Sequence, residues 1–281
     1  MYCTVSMLLH NEGIDICKQI PLKYCKVTKG YLLEKHDITD ENATVFIFAI
    51  PYLAPSYSQQ NISSYAVPKD YHLFVKELGE RVLPHLKSAF PDNKFAIFAD
   101  HSPIDERHAA VLAGLGVFGK NGTVISERYS SFFFIAEIIT DAPCASHDEN
   151  EFQIKSCISC GKCIKACPLN MCDCLSAITQ KKGQLLDFEI NLILTHRCAW
   201  GCDICQNVCP YTSKAIEAKT IYTHIPFFLK DRTPYLTKEL ILNMDDNHFL
   251  QRAYSWRGKA CILRNLEILE STNGLAETSD T

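Results

Sequence analysis

The sequence predicts an α+β chain. An α/β-layered domain over residues 1–150 precedes a small cysteine-rich domain over 151–215, a short helical segment over 216–270 and a disordered tail over 271–281. Three observations carry this. In the first half, apolar runs bounded by turn residues alternate with stretches of helical periodicity, the pattern of a sheet covered by helices. Between Cys157 and Cys209 lie ten of the fifteen cysteines. Beyond them come three short helical patterns and a small, polar ending, "STNGLAETSDT". At 281 residues and 47% hydrophobic, the chain can bury one sizeable core plus a smaller module.

"ATVFIFAIPY" (Ala43–Tyr52) reads as a buried strand that runs into a Pro-rich loop. In "DYHLFVKELGERVLPHLKSAF", Tyr71, Phe74, Leu78, Val82 and Leu86 recur at helical spacing, and Pro84 is expected to kink or divide that helix. "KFAIFAD" (Lys94–Asp100) is a second buried strand, ending on a carboxylate. "IDERHAAVLAGLG" is a helix stopped by Gly114 and Gly116. "SFFFIAEIIT" (Ser131–Thr140) is a third strand. Late helices are expected around Thr237–Met244, Asn247–Tyr254 and Lys259–Leu269. Among them Arg252, Arg257, Lys259 and Arg264 are unopposed by acids; such a run either faces phosphates or is a solvated face.

The net charge of −4 gives no bulk signal for nucleic acid. No apolar run approaches the ~20 residues of a membrane span. The start "MYCTVSMLLHNEGIDICK" lacks the basic region and cleavage site of a signal peptide, so a cytoplasmic location is expected. In that reducing compartment, clustered cysteines are metal or redox ligands rather than disulfides.

Cys157, Cys160, Cys163 and Cys167, followed by Pro168, have the C-x2-C-x2-C-x3-C-P spacing of a bacterial [4Fe–4S] site. Cys202, Cys205 and Cys209, followed by Pro210, repeat its second half. Structural zinc sites use paired knuckles, which this spacing does not match. Two [4Fe–4S] clusters in a ferredoxin-like domain follow. In such domains the Cys before Pro ligates the other cluster. One cluster should then use Cys157, Cys160, Cys163 and Cys209. The other should use Cys167, Cys202, Cys205 and one of Cys172, Cys174 or Cys198. The remaining cysteines, at 3, 17, 25, 144 and 261, read as small buried hydrophobes.

The stretch "DHSPIDERHAAVLAGLGVFGKNGTVIS" (Asp100–Ser126) is the most unusual. A strand-end Asp, an Arg and a Gly-rich turn with Lys120 and Asn121 fall within thirty residues, and strand ends of layered α/β domains are where ligands bind. Gly114, Gly116 and Gly119 mimic a dinucleotide fingerprint. They follow a helix and precede a strand, the reverse of the required order. Taken alone, Asp100 is as good a helix cap as a catalyst.

Together these residues resemble the epoxyqueuosine reductases, a cobalamin-dependent family related to reductive dehalogenases. The resemblance rests on "YAVPKDYH" (Tyr65–His72), on D-x-x-P-x-x-E-R…AGLG-x-x-GKN at Asp100–Asn121, and on "CLSAITQKKG" from Cys174. "GCDICQNVCPY" and the late Arg257, Gly258, Arg264 and Asn265 complete it. It covers roughly residues 43–266 and assigns the fourth ligand of the second cluster to Cys174. It implies that the first domain binds cobalamin, with Arg107, Lys120, Asn121 and Ser176 around the corrin and Tyr65 and Tyr71 in the same pocket. It also implies that Asp100 gives a proton to the leaving oxygen. A carboxyl buried against an apolar macrocycle would keep that proton near neutral pH. "DYHLFV" has Val75 where a D-x-H-x-x-G motif has Gly, so no histidine is expected to replace the lower cobalt ligand.

The implied function is reduction of epoxyqueuosine to queuosine in tRNA, with electrons from a low-potential donor such as flavodoxin or ferredoxin. Longer members carry a helical-repeat domain, associated with tRNA binding, after the clusters. This sequence stops soon after Asn265, which keeps a small-molecule reductase of the same build as an alternative, with a plain electron carrier further behind.

Overall fold

The computed structural model describes residues 1–55, 57–144 and 152–271. The tail expected to be disordered falls, Ser271 apart, outside the described residues. In chain order the elements begin α1 (Tyr2–Asn11), β1 (Ile16–Pro21), α2 (Tyr31–Glu34), β2 (Ala43–Pro51), α3 (Tyr71–Ala89) and β3 (Phe95–Phe98). There follow α4 (Glu106–Leu112), β4 (Val117–Phe118), β5 (Val124–Ile125) and β6 (Phe133–Pro143). Then come α5 (Lys162–Ala166), α6 (Leu175–Thr179), α7 (Asp187–His196), α8 (Ile204–Asn207) and α9 (Pro210–Glu217). The last four are α10 (Pro226–Leu229), α11 (Lys238–Asn243), α12 (Asp246–Leu250) and α13 (Lys259–Glu270).

The chain divides into two compact units, each discontinuous in sequence. The first gathers Met1–Tyr52, Tyr71–Cys160 and Pro210–Ile225. Its sheet has the order β1-β2-β6-β3, and every neighbouring pair is antiparallel. β2 and β3 therefore run the same way with β6 between them, so β2-α3-β3 is a split β-α-β unit. All nine residues of β2 are buried, which is why that strand reads as a continuous apolar run. Phe74, Val75, Leu78, Val82 and Leu86 form the buried face of α3. Gly79 lets that face meet the sheet: a Cβ there would stand 2.9 Å from Ile97 Cγ2. The expected break at Pro84 does not occur. α3 continues through it, because Pro84 lies on the exposed side, where water can take the freed carbonyl.

The second unit gathers Leu53–Asp70, Gly161–Cys209 and the chain from Pro226 onward. Short helices surround Trp200, which is fully buried and donates from Nε1 to Tyr65 Oη at 2.9 Å. Asn61 binds Leu236 like a strand partner: Nδ2 donates to its carbonyl and Oδ1 accepts from its amide, each at 2.8 Å. Asn265, also buried, donates to the Thr179 and Ala199 carbonyls at 2.7 and 2.8 Å. The late helices are short because each is separately capped. Thr237 accepts from Leu240 N, and Asp245 from His248 N.

The cations of the basic run in the C-terminal helices all have partners within the chain. Arg252 is wholly buried against Asp231. Lys259 Nζ donates to the Met244 carbonyl at 2.8 Å, and Arg264 Nη1 to those of Lys181 and Gly183 at 2.7 and 2.6 Å. Arg257 lies over the Trp256 ring at 3.8 Å. Helix ends and tight loops leave carbonyls without partners, and these cations supply the donors. Of the scattered cysteines, Cys17, Cys25 and Cys261 are buried as expected, whereas Cys144 is half-buried and Cys3 is exposed.

Candidate functional site

In the first unit, β3 ends at Phe98 and the chain turns at Asp100, which has φ +59°, in the left-handed region. The turn throws the Asp100 side chain outward. It is 77% exposed, not buried as expected. His72, the second residue of α3, brings Nε2 to 3.9 Å from Asp100 Oδ2. The Asp100 amide donates to Glu106 Oε1 at 2.9 Å. Glu106 opens α4, whose N-cap is Asp105 rather than Asp100. Asp100 is therefore not the cap of that helix.

The buried carboxyls are behind the turn. Glu137, in the middle of β6, is fully buried and accepts from Ser102 Oγ. Burial, then the neighbouring Glu106, holds it well above the ordinary carboxylate range. Burial likewise pushes Glu106 up to about 7, against the opposing pull of the Asp100 amide, a hydrogen bond to Glu137, and His72. The sequence reading missed both residues. The available signal was one Glu in the apolar run "FFFIAEIIT".

The Gly-rich stretch forms a hairpin, β4 against β5. A Cβ on Gly116 would stand 2.5 Å from the Ile125 carbonyl oxygen, so the close strand approach there admits glycine alone. Asn121 Oδ1 accepts from Thr123 Oγ1 at 2.9 Å, and Arg107 Nη1 donates to the Gly122 carbonyl at 3.0 Å. These two side chains shape the loop, while Lys120 is exposed at its tip. The Cys157 amide donates to the Phe118 carbonyl at 2.9 Å, tying the first cysteine loop to β4. Tyr71 stacks on Phe134, with centroids 4.0 Å apart and planes within 6°.

The second unit holds Tyr65, Ser176 and six of the eight expected ligand cysteines, Cys163, Cys167, Cys174, Cys202, Cys205 and Cys209, together with the rival Cys198. Ser176 Oγ accepts from Gln180 Nε2 at 2.9 Å. Tyr65 is taken up by Trp200, and burial raises its hydroxyl pKa. Left-handed residues curl the cysteine loops: Ser159 and Gly161 in the first motif, Asn170 and Met171 after Cys167. The Met171 amide points at Cys167 Sγ, at 3.4 Å. Such amide donors suit a thiolate on a cluster. α5 packs on α8, bringing the two motifs side by side.

Cys174, Cys198 and Cys202 are close enough for their charges to interact. Burial pushes Cys198 up to about 12 and Cys202 up to about 11, so burial does not separate ligand from bystander. Cys198 Sγ donates to the Gly201 carbonyl at 2.6 Å, and Cys174 stands exposed at the N-cap of α6. Among the described residues, no three His, Cys, Asp or Glu side chains converge on a single-ion site, and no helix is long and apolar enough to cross a membrane.

No protein-family model matches the chain. It is 32% identical over 224 residues to an epoxyqueuosine reductase of Cyclobacterium marinum, spanning 72% of this chain and 70% of that one. It is 33% identical over 214 residues to the epoxyqueuosine reductase of Bacillus subtilis, spanning 70% of this chain but about half, 52%, of that relative. The fold matches a structure of epoxyqueuosine reductase from Streptococcus thermophilus with a TM-score of 0.75 at 22% identity, over 99% of this chain and 84% of that one. It also matches, with a TM-score of 0.72 at 23% identity over 95% and 81%, a crystal structure of epoxyqueuosine reductase with an epoxyqueuosine-modified tRNA-Tyr stem loop. With the order of motifs, the fold and these sequence matches in agreement, the chain belongs to the epoxyqueuosine reductase family of oxidoreductases.

Proposed function

We propose that this protein reduces epoxyqueuosine to queuosine in tRNA, using cobalamin and two [4Fe–4S] clusters, with Asp100 as the proton donor. The observation that carries the reading is the Asp100 turn. A non-glycine residue is held left-handed at a strand end and presents its carboxyl outward in the stretch the family motif occupies.

Cobalamin, when bound, supplies the low-potential reduction that opens the epoxide C–O bond. The chain supplies position and protons. Tyr65, Tyr71, Arg107, Lys120, Asn121 and Ser176 would hold the corrin. Of these, Arg107 and Asn121 act by fixing the hairpin loop, and Lys120 by its exposed charge. Asp100 holds the proton that the opened epoxide oxygen takes up, and His72 Nε2 stands 3.9 Å from its carboxyl, a distance that a water bridges for proton return. Cys157, Cys160, Cys163 and Cys209 would hold one cluster, and Cys167, Cys174, Cys202 and Cys205 the other. The hydrogen bond from Cys157 to β4 would anchor the first cluster's loop to the Gly-rich hairpin. A flavodoxin or ferredoxin is the electron donor that such clusters fit, and the cytoplasm the compartment.

The test is turnover on tRNA from cells lacking their own epoxyqueuosine reductase, digested and analysed by mass spectrometry. The parent, loaded with cobalamin and given a strong reductant, should convert epoxyqueuosine to queuosine. Asp100→Asn should keep the cluster and corrin absorption and lose on the order of a hundredfold in turnover, the contribution of a positioned acid. A parent that leaves epoxyqueuosine untouched moves the assignment to a small-molecule substrate. An Asp100→Asn variant as active as the parent removes Asp100 from the chemistry.

A further inference from the structure

A left-handed aspartate is held in place by something, because that backbone costs roughly 1 kcal/mol or more outside glycine. Around Asp100 the holding groups are two carboxyls. Glu106 Oε1 accepts the Asp100 amide at 2.9 Å. Two residues further, Ser102 Oγ accepts from the Ile104 amide at 3.1 Å and donates to Glu137 Oε1. Glu137 pairs in register with Phe98, the last residue of β3, so it lies directly beneath the start of the turn. Its other oxygen, Oε2, is buried and accepts from no donor, as expected of the oxygen that carries a carboxyl's own hydrogen. The neighbouring acceptor is Glu106.

We propose that Glu106 and Glu137 are positioning residues for Asp100. Glu137 donates to Glu106, Glu106 holds the Asp100 amide, and Ser102 fixes the far end of the turn on Glu137. The clamp presents the Asp100 side chain at one angle. Its role in turnover rests on the reading of Asp100 as the acid; its role in the turn does not. The titratable groups facing Glu106 are Glu137 from β6, His72 from α3 and Asp100 itself. Cys25 faces Glu137. Burial places the ionisation of Glu106 near neutrality, and a carboxylate accepts an amide more strongly than the neutral acid does. The clamp is therefore looser where Glu106 is protonated and tightens as pH rises through about 7.

Hydrogen–deuterium exchange on the holoprotein reads the turn directly, through peptides covering Asp100–Asp105 between pH 6 and 8, corrected for intrinsic rates. In the parent, protection of that segment should rise with pH. Glu106→Ala should exchange it at least tenfold faster and lower kcat about tenfold, with KM and the cluster and corrin absorption unchanged, in line with loss of a charge-assisted bond. Glu106→Gln still offers an oxygen to the amide, so it should keep much of the protection but lose its pH dependence. Glu137→Gln still offers a donor to Glu106 and leaves Glu106 to titrate, so it should keep both the protection and its pH dependence; loss of either would overturn the donation from Glu137. Unchanged exchange in Glu106→Ala, or a pH dependence that survives in Glu106→Gln, overturns the clamp. A parent inactive on epoxyqueuosine, or a fully active Asp100→Asn, sinks the functional reading instead and leaves the exchange result to decide the clamp alone.

Discussion

Asp231→Ala isolates one buried charge. Arg252 has no exposed side-chain surface. Its Nη1 donates to the Asp231 carbonyl at 2.7 Å and its Nη2 to Asp231 Oδ1 at 2.6 Å. Lys69 Nζ and His248 Nε2 also approach the Asp231 carboxylate, both at 3.3 Å, but each is partly exposed. Truncating Asp231 leaves the guanidinium buried with a neutral carbonyl and His248 for company. Removing one partner of a buried pair typically costs about 3–5 kcal/mol. The carboxylate is itself 37% exposed, so water can enter and the lower end, about 3 kcal/mol, applies. At roughly 2–4 °C per kcal/mol, the thermal midpoint should fall on the order of 10 °C, read by circular dichroism on anaerobically purified protein. Lys69→Ala, which breaks only a solvent-facing pair, should stay within about 1 kcal/mol of the parent. Burial pulls the Asp231 carboxyl up, but the Arg252 charge and bond outweigh it and hold the pKa below the usual value. A lowered carboxylate pKa stabilises above the unfolded value, near 3.9, and that stabilisation is lost as pH falls through the folded one. The gap between parent and Asp231→Ala should therefore narrow below about pH 4. A midpoint within 2 °C of the parent at neutral pH, about the effect of 1 kcal/mol or less, would refute the reasoning.

Two further outcomes are expected. Iron and acid-labile sulfide should each total about eight per parent chain, the sum of two cubanes; Cys174→Ala should lose about half, and Cys198→Ala should keep all. The reverse pattern would make Cys198 the ligand. Asn265→Ala strips the donors from the Thr179 and Ala199 carbonyls in a dry interior, and should cost about 2–3 kcal/mol in the same melt. A loss under about 0.5 kcal/mol would mean those carbonyls find other partners.

The buried strands were legible because burial on both faces leaves an unbroken apolar run, as in "TVFIFAI" of β2. β1 was not, because "ICKQIP" is a short edge strand whose apolar residues are interrupted by Lys18 and Gln19. The helix through Pro84 and the inward-turned cations defeated local reading for one reason: each depends on what lies across from it. Cysteine spacing is a local signal, because ligand separation along the chain is what a [4Fe–4S] motif prescribes. The carboxyl pair behind Asp100 was not. Glu106 and Glu137 are thirty-one positions apart, and only the sheet register brings them together. Asp100 was found through the family motif, but its exposure came from a backbone angle that no residue type announces.

The split β-α-β unit has a consequence for biogenesis. During synthesis, β2 and β3 leave the ribosome without the strand that joins them, since β6 follows β2 by more than eighty residues. Two edges stay open in the interval, and pairing across such a distance is slow. Even β6 does not finish the unit. Pro210–Ile225 belongs to it as well, and Thr212 of α9 closes a buried hydrogen bond with Ser130 at 2.7 Å. All ten clustered cysteines are thus translated before the domain that carries Asp100 can close. Synthesis of the cysteine loops and completion of the first unit share one time window.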